Sequence, residues 1–202
     1  MNEDKTRLPP DRVLSERFDR ALLFAHEKHR RQPRKGKPVP YVSHPLAVAS
    51  LVLDNGGTED EAIGALLHDV AEDQGGRAAL AEIEREFGRN VAEIVDGCSD
   101  TLETPKPPWR PRKERYLAHL RTAPHSTRLV AAADKLHNAR DTLNDYRVLG
   151  EEFWSRFNAD RDQQLWYYRS LIGVLREAGT NAIVEELDRV VTAMESLARN
   201  RR

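Results

Sequence analysis

The segment Gly64-Ala65-Leu66-Leu67-His68-Asp69-Val70-Ala71-Glu72-Asp73 sets an imidazole and three carboxylates into an otherwise apolar stretch. Read as one helix, it stacks residues four apart, so His68 lies over Glu72 and Asp69 over Asp73. Acids packed beside Leu66 and Leu67 are costly unless something neutralises them. A divalent cation would do so; the plainer alternative is a helix end whose acids face water. An adjacent His-Asp pair cannot close a coordination sphere, so other segments would have to contribute. His44, in Tyr41-Val42-Ser43-His44-Pro45, sits where the proline marks a helix entrance. Asp134 follows Leu129, Val130 and a run of three alanines, which points it inward, and a buried aspartate needs a partner. Asp134, Asn138 and Asp141 then fall at i, i+4 and i+7 along one helix face. A further feature is the stretch Lys28 to Lys37 (KHRRQPRKGK), with six lysines and arginines and no acid. On its own it reads equally as a solvated loop or as a cradle for phosphates.

The elements that must position these residues are helical almost throughout. Leu14, Phe18, Ala21, Leu22 and Ala25 recur at helical spacing, and Pro33, Gly36, Pro38 and Pro40 then enforce a loop. Leu46 to Leu53 reads as a second helix stopped by Asn55-Gly56-Gly57. Thr58 and Glu61 form a capping box for the helix that carries Ile63, Leu66, Leu67 and Val70. Helices are also expected over 77–87, ended by Gly88, and over 91–95. Four prolines between 105 and 111 predict a surface loop around Trp109. Helical patterning resumes over 112–121 and 126–142, and two long amphipathic helices follow at about 160–178 and 181–199. Their apolar stripes are packing surfaces.

Composition bounds the function. The chain has 202 residues, and 32 lysines and arginines balance 33 acids, which argues against a nucleic-acid binder. Apolar runs fall far short of the ~20 residues that cross a bilayer, so no membrane span is expected. The polar stretch Met1 to Pro10 lacks the apolar segment of a secretory signal, and the single Cys98 cannot form an internal disulfide, so the expected compartment is the cytoplasm. The balance of charge and length leaves the oligomeric state open.

The set His44, His68-Asp69 and Asp134 resembles the H…HD…D motif of the HD phosphohydrolase superfamily. The fragments FAHEKHRRQPRKG, PYVSHP, ALLHDVAED, EFGRNVAEIVDG and ADKLHNARD, in that order, are similar to the hydrolase domain of RelA/SpoT-type proteins and to small alarmone hydrolases. The likeness covers roughly residues 14 to 142, with a helical extension at about 151–200. It implies an all-α HD-domain bundle of roughly eight to ten helices, forming one domain over residues 1–202. It also implies His44, His68, Asp69 and Asp134 as metal ligands. This two-imidazole, two-carboxylate set suits Mn²⁺, the family's usual ion, though other divalent transition metals would fit. By the same likeness Glu72 and Asp73 position or deprotonate the attacking water and assist the leaving group. Arg34 and Lys35 match a pair that lines the nucleotide site, and Asn138 and Asp141 match substrate-side polar positions. The implied reaction removes the 3′-pyrophosphate of ppGpp or pppGpp, giving GDP or GTP and pyrophosphate. Alternatives are hydrolysis of an adenosine alarmone (pppApp), removal of the 2′-phosphate of NADPH, and a nucleotide-binding regulator without activity.

The remaining candidates read as structure. His26 and His29 are expected on an exposed helix face, His119 and His125 on the surface, and His137 is expected to point about 100° away from the Asp134 face. Cys98, Trp154 and Trp166 read as packing residues. Trp109, in its loop, has the best chance among the tryptophans of touching a base. Lys113 and Arg115 could reach a distal phosphate, with solvated surface as the plainer reading.

Overall fold

In the computed structural model, which describes Leu8, Pro9 and residues 12–200, one helix, α8 (His125–Leu149), is the axis on which most others pack. The charged stretch Met1 to Pro10 therefore lies, apart from Leu8 and Pro9, outside the described residues. Six successive residues of α8, Leu129 to Asp134, are all buried, which is the signature of a helix surrounded by others. Its small side chains at Ala131, Ala132 and Ala133 let α2 (Ser43–Asp54), α3 (Glu59–Leu67) and α6 (Arg89–Cys98) come close. The other helices are α1 (Glu16–His29), α4 (Val70–Gln74), α5 (Gly76–Phe87), α7 (Trp109–Thr122), α9 (Arg161–Glu177) and α10 (Ala182–Asn200), with a 3-10 turn at Gly150–Arg156. Among the described residues the only strand-like pairing is an isolated bridge, Pro33 to Pro40, inside the basic loop. The molecule is all-α, as its periodicity predicts.

α3 is the element that delivers the His-Asp pair. The Thr58 hydroxyl accepts from the Glu61 amide, and the Glu61 carboxylate accepts from the Thr58 amide, so the predicted capping box forms. Such a cap contributes about 1 kcal/mol. Every residue from Glu61 to Leu67 is buried. At Gly64 a Cβ would lie 2.6 Å from Ile94 Cγ2, so α3 and α6 approach at a distance that excludes any side chain there.

Besides longer bounds for α6 and α8, the structure departs from the expected elements at two instructive places. The helix begun at Thr58 does not run through to Asp73; it stops at Leu67 and restarts as α4 at Val70, with Asp69 at φ −95°, ψ −7°. The reason is local. His68 Nδ1 donates to Ala65 O at 2.7 Å, so the carbonyl that would bond the Asp69 amide in a continuous helix is already engaged. The second departure is in the proline loop, where α7 begins at Trp109 rather than after Pro111. Pro111 falls in the first turn of that helix, where an N–H has no carbonyl to find.

α10 packs against both α8 and α9, and α7 packs against α9. Buried apolar side chains from Ala21 in α1 to Ala198 in α10 form one continuous cluster, so the C-terminal helices share the core of the motif-bearing region. Among the described residues no helix is long and apolar enough to cross a membrane.

Candidate metal centre and the cleft beside it

Three separate elements bring four side chains to one point. His44 comes from the first turn of α2, His68 and Asp69 from the break between α3 and α4, and Asp134 from the middle of α8. His44 Nε2 lies 3.1 Å from Asp134 Oδ1 and 3.5 Å from Asp69 Oδ2. His68 Nε2 lies 3.0 Å from Asp69 Oδ2 and 3.7 Å from Asp134 Oδ1. Ligand atoms of His44, His68 and Asp134 fall within 4.8 Å of one another, and all three residues are buried.

The hydrogen-bond pattern tests whether a cation belongs there. A carbonyl oxygen only accepts, so the bond to Ala65 O fixes the proton of a neutral His68 on Nδ1. Its Nε2 then presents a lone pair, is buried, and has no hydrogen-bond partner. That lone pair faces carboxylate oxygens, an arrangement that is repulsive unless a positive charge, a proton on the ring or a bound cation, sits between them. Burial opposes protonation of His68, yet Asp69 and Asp134 outweigh it and hold its pKa well above the ordinary value. Burial likewise opposes ionisation of Asp134, but Lys135 and the two imidazoles hold it well below the usual carboxylate range. Burial also opposes ionisation of Asp69, which His68 and His44 depress in turn. Two nitrogen donors and two carboxylates, without a thiolate, fit a divalent first-row cation.

Further side chains orient these four. Tyr41 Oη donates to Asp69 Oδ2 at 2.5 Å. Lys135 pairs with Asp134 Oδ2, and Asn138 Nδ2 donates to Asp134 Oδ1 at 2.5 Å. His137 corrects the sequence reading. It does not turn away: its Nδ1 is 2.7 Å from Nδ1 of His44. Three residues on, it lies only about 60° round α8 from Asp134, and His44, arriving from α2, meets both. Burial, then His44 and Arg34, push the His137 imidazole down to about 4, so it is neutral near pH 7.

Glu72 and Asp73, carried by α4, line a broad second cleft of about 730 Å³ with Arg77 and the 101–105 loop. Both Glu72 carboxylate oxygens are engaged, one by the Asp100 amide at 2.9 Å and one by Lys106 Nζ at 2.8 Å. Asp73 accepts from Gln32 Nε2 at 2.8 Å. Burial and the neighbouring Asp69 raise its pKa above the ordinary value. Gln32 in turn accepts from His29 Nδ1 at 2.8 Å. His29 is therefore not the exposed helix histidine its position suggests; it is 2% exposed and packs against the Tyr41 ring. His26, His119 and His125 are exposed and Cys98, Trp154 and Trp166 pack, as expected.

The other cleft, about 320 Å³, is walled by cations on one side and aromatic rings on the other. Arg34, Lys35 and Lys37 come from the basic loop, Lys113 from α7, and Lys135, Asn138 and Asp141 from α8. Gly36, at φ +74°, turns the loop against Arg156, so the basic residues lean on the 3-10 turn. Asp141 ties two of them down, accepting from Arg34 at 3.0 Å and from Lys37 at 2.5 Å. Lys113 lines this cleft, whereas Arg115 faces the Asp100 side, and Arg140 turns out to pair with Glu186. Burial, with Lys135 and Arg112 beside it, pulls Lys113 down to about 7 in spite of Asp100 at 2.7 Å.

The aromatic wall was missed by sequence reasoning. Phe153, Phe157, Tyr167 and Tyr168, with Gln164, come from the 3-10 turn and α9. Lys35 Nζ sits 5.0 Å above the Phe157 ring and Lys113 Nζ 4.7 Å from that of Tyr167. Trp109, expected in a loop, lines the same cleft from the first turn of α7, against Trp166 and Tyr167. No spacing distinguishes these rings from core aromatics. For Lys135 a signal existed: a charged residue beside Asp134 in a run of buried alanines.

The HD domain family model matches residues 21–161, more than half of the chain. A guanosine-3′,5′-bis(diphosphate) 3′-pyrophosphohydrolase, MESH1, of Xenopus tropicalis is 37% identical over 168 residues, covering 82% of this chain and 87% of that protein. The bifunctional (p)ppGpp synthase/hydrolase SpoT of Escherichia coli K12 is 34% identical over 71% of this chain, which spans 20% of that larger protein. A solved structure, described as a metazoan ortholog of SpoT that hydrolyses ppGpp and plays a role in starvation responses, superposes with a TM-score of 0.73 at 30% identity, covering 88% of this chain and 95% of that one. With its His-Asp cluster and helical bundle on those terms, the chain belongs to the HD-domain family of hydrolases.

Proposed function

We propose that this protein hydrolyses the 3′-pyrophosphate of guanosine 3′,5′-bis(diphosphate) or its 5′-triphosphate analogue, using a divalent cation, Mn²⁺, held by His44, His68, Asp69 and Asp134. The observation that carries the reading is His68 Nε2, a buried nitrogen that makes no hydrogen bond and lies 3.0 and 3.7 Å from oxygens of Asp69 and Asp134. The 3′-pyrophosphohydrolase activity of the relatives at 37–39% identity supplies the substrate class. A cation bound there would polarise the phosphoryl oxygen and lower the pKa of a water.

The chain's own groups do the rest. Arg34, Lys35 and Lys113 bring positive charge to the cleft, the first as a planar fork suited to phosphate, the lysines as point charges. Asp141 cannot face phosphates favourably itself; its role in this reading is to fix Arg34 and Lys37 through their ion pairs. Asn138 reaches substrate from the Asp134 side of the cleft. The partly exposed ring of Phe157, on the cleft wall beside the buried Tyr168, is where a base stacks in this reading. Glu72 takes the proton of the attacking water, and Asp73, whose carboxyl is held up, hands a proton to the ribose O3′ as the P–O3′ bond breaks. Water thus ends on the departing pyrophosphate and a proton on the nucleoside hydroxyl.

The test is a panel. Chelator-stripped protein, with and without added Mn²⁺, is given ppGpp, pppApp and NADPH, and products are identified by mass spectrometry. The expected result is GDP plus pyrophosphate from ppGpp, only when metal is present. Consumption of pppApp or NADPH with ppGpp untouched would replace the substrate, and turnover that survives chelation would remove the metal.

A further inference from the structure

The contact between His44 and His137 is the feature the proposed reaction does not use. Two Nδ1 atoms 2.7 Å apart share one proton, and which ring owns it follows from the other end of His44. His44 Nε2 faces Asp134 Oδ1 and Asp69 Oδ2. If that nitrogen donates its lone pair to a cation, a neutral His44 must carry its proton on Nδ1, because an imidazole has only one N–H to place. His137 must then be the acceptor, with its own proton on Nε2. The two rings lie 4.8 Å apart at 42°, and α8 carries His137 three residues beyond Asp134, so the same helix that supplies one carboxylate also supplies this acceptor.

We infer that His137 is a positioning residue for the metal centre: its Nδ1 accepts the His44 Nδ1 proton and so locks His44 in the tautomer and ring orientation that presents Nε2 to the cation. The counterpart at the second imidazole is Ala65 O, a backbone acceptor that no side-chain substitution removes. The two histidines are thus held by unlike means, one by the chain itself and one by a replaceable side chain. Outer partners of this kind fix ligand direction and basicity, and their loss weakens metal binding by about 10–100-fold. Asparagine places its amide oxygen close to where Nδ1 of a histidine lies and can accept the same proton; phenylalanine fills the volume without an acceptor.

The inference rests on the metal reading above, and the experiment separates the two. Mn²⁺ affinity is measured by competition with a chelator for the wild-type protein, His137→Phe and His137→Asn, with circular dichroism of each metal-free protein as the check on folding. The expected result is a 10–100-fold weaker affinity for His137→Phe and near wild-type affinity for His137→Asn. Equal affinity of wild type and His137→Phe, or equal weakening in both variants, overturns the positioning role while leaving the metal centre intact. Wild-type protein that binds no Mn²⁺ overturns the metal centre and this role with it. Should His137→Phe not fold, ring-nitrogen NMR of the wild-type protein loaded with diamagnetic Zn²⁺ decides: an unprotonated Nδ1 on His137 supports the assignment, and a protonated one overturns it.

Discussion

The two ends of the active region are built on different principles. At the metal end, four side chains from α2, the α3–α4 break and α8, three of them buried and Asp69 partly so, are tied by hydrogen bonds and ion pairs that leave each little freedom. At the cleft end, the wall of Phe153, Phe157, Tyr167 and Tyr168 is generic apolar surface, and its partners are lysines held only at 4.7–5.0 Å from the rings. Chemistry needs particular atoms at particular distances, so the first end tolerates few residue types. Binding a flat base needs area, which many residues can give. Variants at the metal end should therefore lower turnover, and variants at the aromatic wall should raise KM.

The largest effect is expected from His68→Ala. It removes one of the two nitrogen donors and leaves His44 as the single imidazole facing Asp69 and Asp134. Metal binding measured by isothermal titration and turnover of ppGpp should both be lost. Retention of tight metal binding would break the contrast at its root. Next is Glu72→Gln, which can keep the hydrogen bond from Lys106 but not the one from the Asp100 amide, and cannot take a proton. Turnover should fall about 10²–10⁴-fold with metal affinity unchanged. A variant whose rate stays within threefold of wild type would strip Glu72 of its role.

The same contrast governs what the sequence disclosed. The His68-Asp69 pair and Asp134 stood out because acids and imidazoles inside apolar runs are anomalies that demand a partner, His44 because Pro45 marks a helix entrance, and the family resemblance joined the four. The helices were legible from periodicity, and Thr58 with Glu61 marked a helix start by chemistry alone. The break at His68 was not, because it arises from one side chain competing for one carbonyl, Ala65 O. His29 was misread because α1 was considered without the Tyr41 ring that buries it, and His137 because i+3 sets it only about 60° from Asp134, close enough to share a site. Phe157 and Tyr168 carry no anomaly at all, since an aromatic residue at helical spacing is ordinary core.

A smaller effect is expected on the aromatic side. Phe157→Ala removes one ring of the wall and the face over which Lys35 sits. Stacking of a base on an aromatic side chain is worth about 1–3 kcal/mol, so KM for ppGpp should rise roughly 5–150-fold. Steady-state kinetics should show kcat nearly unchanged. An equal loss in kcat, with KM fixed, would mean that the wall positions the reacting phosphorus and that the two ends are one unit.

The smallest effect sits where the two ends meet, at Lys113. Its ammonium is held between Asp100 on one side and the Tyr167 ring on the other, and burial with two neighbouring cations brings its pKa to about 7. In the free protein the charged form therefore predominates below pH 7 and is lost above it. If Lys113 helps to hold a phosphate, its contribution to kcat/KM fades as pH rises through that value, because the parameter reports the ionisation of free enzyme. Other groups, the bound water included, titrate in the same range, so the wild-type profile alone decides nothing. Lys113→Arg keeps a positive charge at every accessible pH. The ratio of wild-type to Lys113→Arg kcat/KM, in which shared ionisations cancel, should then decline between pH 6 and pH 8.5. A flat ratio would place Lys113 with Asp100 as scaffold and leave phosphate recognition to the basic loop.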